Sequence, residues 1–473
     1  MQQLRPGARV LLSGYRLTSR PLLPTSSCTH CRQTAILRDP RIHLNMAAYH
    51  GSSKRSSAWG AAVSVASHMA SNAINRVTKG EMPIDPLRTV AKEMKFLTGN
   101  IRKLLGSGHP SLDRVAKYYT QAEGKHMRPL IVLLMSRATA ICPKEARHTS
   151  SYSDAPAGGI DSAMSPLNIL ADFNPSLTPS SSTPSSSSST SSPLTEAAPA
   201  TPTDADTQIL PSQRRLAEIT ELIHTASLLH DDVIDHSVSR RGSPSANLEF
   251  GNKMAVLAGD FLLGRASVAL ARLRNAEVVE LLATVIANLV EGEFMQLKNT
   301  AQDERRPQWS EETMSYYLQK TYLKTASLIS KSCRAAAILG GADAASVDAA
   351  YLYGKNLGLA FQLVDDLLDY TRSEAELGKP AGADLELGLA TAPLLFAWET
   401  MPELGALVGR KFEREGDVAR ARELVLQSDG IEQTRALAKE YSDKAIDAIS
   451  GFPDSEAKDG LVEMAIKALQ RQK

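Results

Sequence analysis

Leu216-Ala-Glu-Ile219-Thr-Glu-Leu-Ile223-His224-Thr-Ala226-Ser227-Leu-Leu-His230-Asp231-Asp232-Val-Ile-Asp235 decides how this chain is read. Leu216, Ile219, Ile223 and Ala226 recur at spacings of 3, 4 and 3, the period of an α-helix with one apolar face. On that helix Asp231 and Asp235 are four apart and share a face, and His224, two turns earlier, lies within about 20° of the same line. Two like charges at that spacing repel and weaken the helix. A purely structural helix has little reason to set them beside an apolar seam, whereas Mg2+ reverses the sign of their interaction. That ion takes oxygen ligands octahedrally, usually one or two carboxylates with water and substrate phosphate. Taken alone, the pattern is equally readable as a solvated acidic turn.

The same pattern returns in Gln362-Leu-Val-Asp365-Asp366-Leu-Leu-Asp369, where positions i, i+3, i+4 and i+7 put four polar groups on one face of an apolar helix. If the two helices face one another across a bundle, their carboxylates converge on a site able to hold several metals and a diphosphate. Cations lie close by in sequence: Arg240-Arg241-Gly242 in a loop, Gly124-Lys125-His126-Met127-Arg128-Pro129 opening a helix, and Lys320 and Lys324 on one face beside Thr321 and Thr325. Each alone reads as a solvated charge. Together with two acidic metal sites they describe a pocket for two diphosphates, one gripped through metals and one by Lys and Arg.

Elsewhere the period is helical almost throughout. Asp85-Pro86 is an N-cap followed by a proline at the first helical position, opening a helix to about residue 105. Further helices are expected over roughly 127–142, 253–272, 276–297, 311–338, 345–372 and 383–400, with shorter pieces to the C-terminus and no alternating strand pattern. The fold class is all-α: a helical bundle.

The chain of 473 residues, 43% hydrophobic and 22% charged, is long enough to bury a large core. No run of about 18 uncharged apolar residues occurs, so a membrane-spanning helix is not expected. The net charge of +1 conceals an asymmetry: residues 1–80 carry eleven Lys/Arg and one acid, Asp39, while the remainder is acidic by nine charges. An Arg- and Ser-bearing, acid-poor beginning has the composition of a mitochondrial transit peptide and disordered leader, and its removal leaves an acidic chain unsuited to nucleic acid. Between Ser176 and Pro193, 17 of 18 residues are Ser, Thr or Pro, and residues 146–211 show no sustained apolar period. That segment reads as a disordered insertion within a single domain over 81–473. Cys28, Cys31, Cys142 and Cys333 are too few and too scattered for a disulfide framework, and the lone CxxC has no partner pair for zinc.

GKHMRP, LLHDDVIDHSVSRRGSPSAN, a Gly259-Asp260-Phe261 turn, YLKTASLI, GLAFQLVDDLLDYT and GKPAGADLELGLATAPLLFA together resemble the trans-isoprenyl diphosphate synthases over residues 85–473 apart from the insertion. The last string is most similar to the mitochondrial long-chain synthases that make the ubiquinone side chain. The resemblance implies an isoprenoid synthase-type bundle with a central cavity, in which isopentenyl diphosphate adds head to tail to an allylic primer, farnesyl or geranylgeranyl diphosphate. It implies about three Mg2+ per site, bound by Asp231, Asp235 and Asp365, with Asp232, Asp366 and Asp369 supporting them. Arg240, Lys324 and Lys379 would meet the allylic diphosphate. Lys125, Arg128, His224 and Arg241 would bind isopentenyl diphosphate, and Thr325 and Gln362 would line the reacting centre. It also implies a homodimer or hetero-oligomer in the matrix, peripheral on the inner membrane. One departure stands out: many relatives read GKxT where this chain has Gly388-Leu389-Ala390-Thr391, so a lysine that closes over phosphate is missing.

Two other classes share parts of the pattern. A class I terpene cyclase has the first aspartate motif but binds one diphosphate, which Lys125, Arg128 and His224 argue against. A non-catalytic partner subunit usually shows a degraded aspartate motif, and here both are intact; a shorter-chain geranylgeranyl diphosphate synthase is the remaining alternative. Ala226 and Ser227, five and four residues before Asp231, bear on that choice. Both are small where short-chain relatives carry an aromatic ring, which leaves the way down the helix open for a long product.

Overall fold

The computed structural model describes residues 85–121, 126–145, 209–240, 243–297, 307–371 and 382–471. The leader, most of the insertion and the CxxC cysteines lie outside the described residues, as do Lys125, Arg241 and Lys379.

Asp85 caps the first helix as its sequence predicts: its Oδ1 accepts from the Leu87 backbone N–H at 3.1 Å and Pro86 occupies the first turn. The expected helix to residue 105 is broken once, at Val90, into α1 (Pro86–Thr89) and α2 (Ala91–Leu104). Next come α3 (Pro110–Gln121), α4 (Met127–Ala140) and α5 (Pro211–Ile234), the helix of the first aspartate motif. A two-residue hairpin, β1 (Ser239–Arg240) with β2 (Ser243–Pro244), leads to α6 (Ala246–Phe250), α7 (Asn252–Arg272) and α8 (Ala276–Leu297). The stretch expected as one helix from 311 is α9 (Glu311–Thr321), a wide π turn (Tyr322–Ala326) and α10 (Ser327–Leu339). The second aspartate motif lies on α11 (Ala344–Thr371). The chain closes with α12 (Ala383–Glu386), α13 (Ala392–Thr400), α14 (Glu403–Gly409), α15 (Asp417–Gln427), α16 (Gly430–Ala448) and α17 (Glu456–Leu469).

Three sequence expectations are corrected. Residues 209–211 belong to the folded domain rather than the insertion: Ile209 is buried, and the Leu210 N–H donates to Gln213 Oε1 where Pro211 opens α5. Gly259-Asp260-Phe261 is not a turn but mid-helix in α7, and the His230 imidazole of α5 occupies the space that a Cβ at 259 would take. The helix expected over 383–400 is interrupted, because Gly388 takes φ +76° and Thr391 is extended. Ala392 then begins α13, with Pro393, which has no N–H to give, in its first turn.

The core forms where α5 packs on α7, α4 and α10, and where α11 packs on α10 and α16. Leu133, Leu134, Leu216, Ile219, Leu222 and Ile223 are fully buried at the first of these contacts. By length and composition α7 could cross a membrane, but Asp260 and Arg265 interrupt it and one of its faces packs on α5 and α6. The approach of α11 to the π turn is close: a Cβ at Gly358 would stand 2.6 Å from the Ala326 Cα, and one at Gly354 2.6 Å from the Ser330 Cα. Gly358→Ala, although alanine is the better helix former, should therefore destabilise the protein by about 1–3 kcal/mol, since backbone on both sides must move apart. Urea unfolding measures this; an unchanged midpoint would show that the contact is loose.

Candidate active site

A cavity of about 250 Å³ lies between the two aspartate helices. It is lined by Arg128 of α4; His224, Ser227, Leu228 and Asp231 of α5; Gln296 of α8; Tyr317, Lys320 and Thr321 of α9; Lys324 and Thr325 of the π turn; and Gln362 and Asp366 of α11, with Asp384, Leu389 and Thr391 closing one side. The widened π turn presents Lys324 and Thr325 toward the same space as Lys320 and Thr321, a use to which such turns are often put. Gly292 of α8 makes room for it, since a Cβ there would meet Lys324 Cγ at 2.7 Å.

The two members of each aspartate doublet have different surroundings. Asp232 is fully buried: its Oδ1 accepts from Arg240 Nε at 2.8 Å and Nη2 at 2.6 Å, and its Oδ2 accepts from the Tyr119 hydroxyl. That hydroxyl in turn accepts from the Ala246 N–H at 2.8 Å, so one phenol ties α3, α5 and α6 together. Asp366 repeats the device on α11, accepting from the Tyr317 hydroxyl and, at 2.9 Å, from Gln362 Nε2. Gln362 Oε1 accepts from Thr325 at 2.9 Å, which fixes both residues at the cavity wall.

Asp231 faces the cavity, and burial pushes its carboxyl up to about 6, helped by Glu293 and Asp235 and opposed by Lys324. Asp235 is raised chiefly by burial as well, with Lys324 again opposing. Lys324 Nζ bridges Glu293 at 2.5 Å and Gln296 at 3.0 Å. Burial also lifts Asp366 to about 6, against the hydrogen bonds from Tyr317 and Gln362.

The four polar groups of the second motif do not act as one face. Gln362 and Asp366 reach the cavity, whereas Asp365 pairs with Arg471 Nη1 at 2.6 Å, and the Arg471 guanidinium stacks on the Phe361 ring, 4.1 Å from its centroid. Asp369 accepts from the backbone N–H groups of Ala383 and Asp384, at 3.2 and 3.3 Å, and so positions α12. Arg128 Nη1 and His224 Nε2 are 2.8 Å apart and separate the central cavity from a second one of about 620 Å³ lined also by Phe361, Lys467 and Arg471. Ser227 and Asp231 both line a third, apolar cavity of about 330 Å³ among α5, α7 and α8; Ala226 is fully buried in the core. Sequence reasoning missed Tyr119, Tyr317, Glu293, Asp384 and Arg471. Only Glu293 left a trace, as a charge ending the most apolar helix.

Two aspartate helices around a cavity lined with cations match a known family. Residues 194–425 match the family described as polyprenyl synthetase. The Neurospora crassa protein called probable hexaprenyl pyrophosphate synthase, mitochondrial, is 73% identical over 100% of this chain and 100% of its own. The chain belongs to the polyprenyl synthetase family. The hexaprenyl pyrophosphate synthase of Saccharomyces cerevisiae mitochondria is 47% identical over 82% of this chain and 91% of its own. A solved polyprenyl synthase from Caulobacter crescentus, complexed with calcium and isoprenyl diphosphate, superposes with a TM-score of 0.62 at 30% identity, covering 82% of this chain and 97% of that one. This polyprenyl synthase is therefore a prenyltransferase, a long-chain polyprenyl diphosphate synthase, and mitochondrial, as its basic leader led one to expect.

The raised Asp231 carboxyl has a definite consequence for stability. Its folded pKa of about 6 exceeds the ordinary carboxylate value, so between the two the folded state holds the extra proton. Stability of the metal-free protein is thus lost as pH rises through that window. Asp231→Asn, which removes the buried charge, should raise the metal-free Tm at pH 7.5 by roughly 2–4 °C, with the difference vanishing toward pH 4. Calorimetry in a chelator checks this; a lower Tm for the variant at pH 7.5 would refute it.

Proposed function

We propose that this synthase, in the mitochondrial matrix, adds isopentenyl diphosphate head to tail to farnesyl or geranylgeranyl diphosphate, building the ubiquinone side chain of about six to ten units. The observation that carries this reading is the junction at Ser227 and Asp231, where a charged cavity meets an apolar one. A diphosphate fits the first and a growing hydrocarbon the second. An apolar tail gains from leaving water, which also favours peripheral association of the loaded enzyme with the inner membrane.

The residues suit divalent cations. Asp231 and Asp235 stand one turn apart, both carboxyls raised by burial, so a dication there would relieve desolvation and repulsion together. In this reading Asp231, Asp235 and Asp365 would hold Mg2+, about three ions with the allylic diphosphate, Asp365 being paired with Arg471 in this structure. Bound Mg2+ would supply charge opposite the leaving diphosphate.

The chain's own groups do the rest. Lys324 and Arg240, with Lys379, offset negative charge on the departing diphosphate as the allylic C–O bond breaks, a preorganised stabilisation that is often the largest catalytic contribution. Asp232 and Tyr119 keep Arg240 in place; Asp366, Tyr317 and Gln362 do the same for Thr325 at the reacting centre, and Asp369 holds the segment that closes it. Arg128 and His224, with Lys125 and Arg241, position isopentenyl diphosphate so that its double bond attacks the allylic cation. The released diphosphate removes the proton and a new double bond forms. Exposed Val256 and Leu257 of α7 and Val290, Phe294 and Leu297 of α8 offer an apolar surface for a homodimer or hetero-oligomer. Nucleic acid has no part in this chemistry.

Mass analysis of products made by the purified chain from farnesyl diphosphate, isopentenyl diphosphate and Mg2+ tests the reading. Ser227→Phe should cut the product to about three or four units while the first condensation persists, because a ring at the junction fills the passage; Ala226→Phe should do so less cleanly, since it also overpacks the core. An unchanged distribution for Ser227→Phe would place the tail elsewhere. Arg128→Ala should raise KM for isopentenyl diphosphate by about tenfold or more, with little change for the primer. Equal effects on both substrates would count against the division of the pocket.

A further inference from the structure

Two observations bear on the lysine missing from the Gly388–Thr391 loop. Lys320, in the last turn of α9, lines the central cavity together with Leu389 and Thr391. It also lines an adjoining cavity of about 290 Å³ together with Leu389 and Ala390. The side chain at 320 therefore stands at the wall that a lysine at 389 would share, approached from α9. Among the described residues Lys320 makes no hydrogen bond or ion pair; its Nζ lies 5.5 Å from the centroid of the Tyr317 ring.

An ammonium so placed is costly. Burial lowers its pKa, while the charges facing it are mixed: Asp366, Asp384 and Glu293 favour the cation and Lys324 opposes it. A cation serving only to balance the acids would close on one of them, and hydrogen-bonded pairing is what normally keeps a buried charge. Here the acids are engaged elsewhere: Asp366 by Tyr317 and Gln362, Glu293 by Lys324. The ammonium is left facing open volume beside Thr321, Lys324 and Thr325 with three donors unspent.

We propose that Lys320 contacts the allylic diphosphate and takes the place of the absent lysine at position 389, closing the phosphate end of the cavity from α9 rather than from the 388–391 loop. The inference rests on the assignment of this cavity to the allylic diphosphate. It accounts for how the site can close although Leu389 carries no charge, and for why the chain places a half-buried lysine without a hydrogen bond or ion pair one turn before Lys324.

The full-length protein with Mg2+ can be titrated with farnesyl thiodiphosphate, whose allylic bond does not ionise, and separately with isopentenyl diphosphate. Lys320→Met, close in shape, should weaken thiodiphosphate binding by about ten- to a hundredfold, the usual effect of losing a charge-assisted phosphate contact, with isopentenyl diphosphate binding changed by less than about threefold. Metal-free Tm should stay level or rise, since a half-buried charge without a hydrogen bond or ion pair has been removed. The double variant Lys320→Met/Leu389→Lys should recover most of the lost affinity, which a merely structural role for Lys320 does not predict. Unchanged thiodiphosphate binding, an equal loss for both ligands, or a fall in metal-free Tm without rescue by Leu389→Lys would each overturn the proposal. Absence of Mg2+-dependent thiodiphosphate binding by the unmodified protein would overturn the underlying site assignment as well; loss confined to the variant leaves that assignment standing.

Discussion

Asp232 carries its charge at zero exposure, and the arrangement of the site depends on how that charge is satisfied. A buried carboxylate is tolerable only when its oxygens are hydrogen-bonded and a counter-charge is close. Arg240 and Tyr119 supply both, and because they come from the hairpin and from α3, the price of burying Asp232 is met by fixing three elements at once. Removing either partner would leave a charge stranded in the core, which makes this cluster a constraint on geometry more than a source of stability.

The second aspartate helix solves the same problem with different partners. Asp366 is held by Tyr317 and Gln362, and Gln362 by Thr325, so the π turn and α11 are registered against each other through side-chain amide and hydroxyl groups. Glycine at 358 lets the two backbones come close enough for this, and glycine at 292 admits the Lys324 stem. The first doublet assigns one carboxylate to architecture, whereas Asp366 of the second both registers the helices and reaches the cavity wall. The first leaves Asp231 facing the cavity with a carboxyl that burial has made reluctant to ionise, a state that a cation would reverse.

Polarity is sorted along α5. One helical turn separates Asp231, at the charged cavity, from Ser227, at the mouth of the apolar one, and below them Ile223 and its neighbours on α7 and α8 are hydrocarbon. A ligand with a charged head and an apolar tail is matched by that gradient, which is what a polyprenyl diphosphate presents.

Much of this was legible in the sequence because it depends on periodicity. The 3.6-residue period marked nearly all the long helices, the repeated Asp-Asp-x-x-Asp marked both helices that line the central cavity, and Asp85-Pro86 marked a helix start to the residue. The basic leader pointed to the mitochondrion through composition alone. What spacing cannot express is contact between residues far apart in the chain. Nothing local distinguishes Asp366, turned into the cavity, from Asp365, paired with Arg471 from the far end of the chain; one position along a helix rotates a side chain by about 100°, and only the neighbouring helices settle which direction is inward. Tyr119 and Tyr317 look like ordinary core aromatics until their hydroxyls are seen to end on buried aspartates. Gly259 reads as a turn because glycine usually signals one, whereas the tertiary structure uses it to admit His230 from another helix. The sequence by itself determined the class, the elements and the chemical inventory; packing between distant segments decided which charges are architectural and which face the ligand.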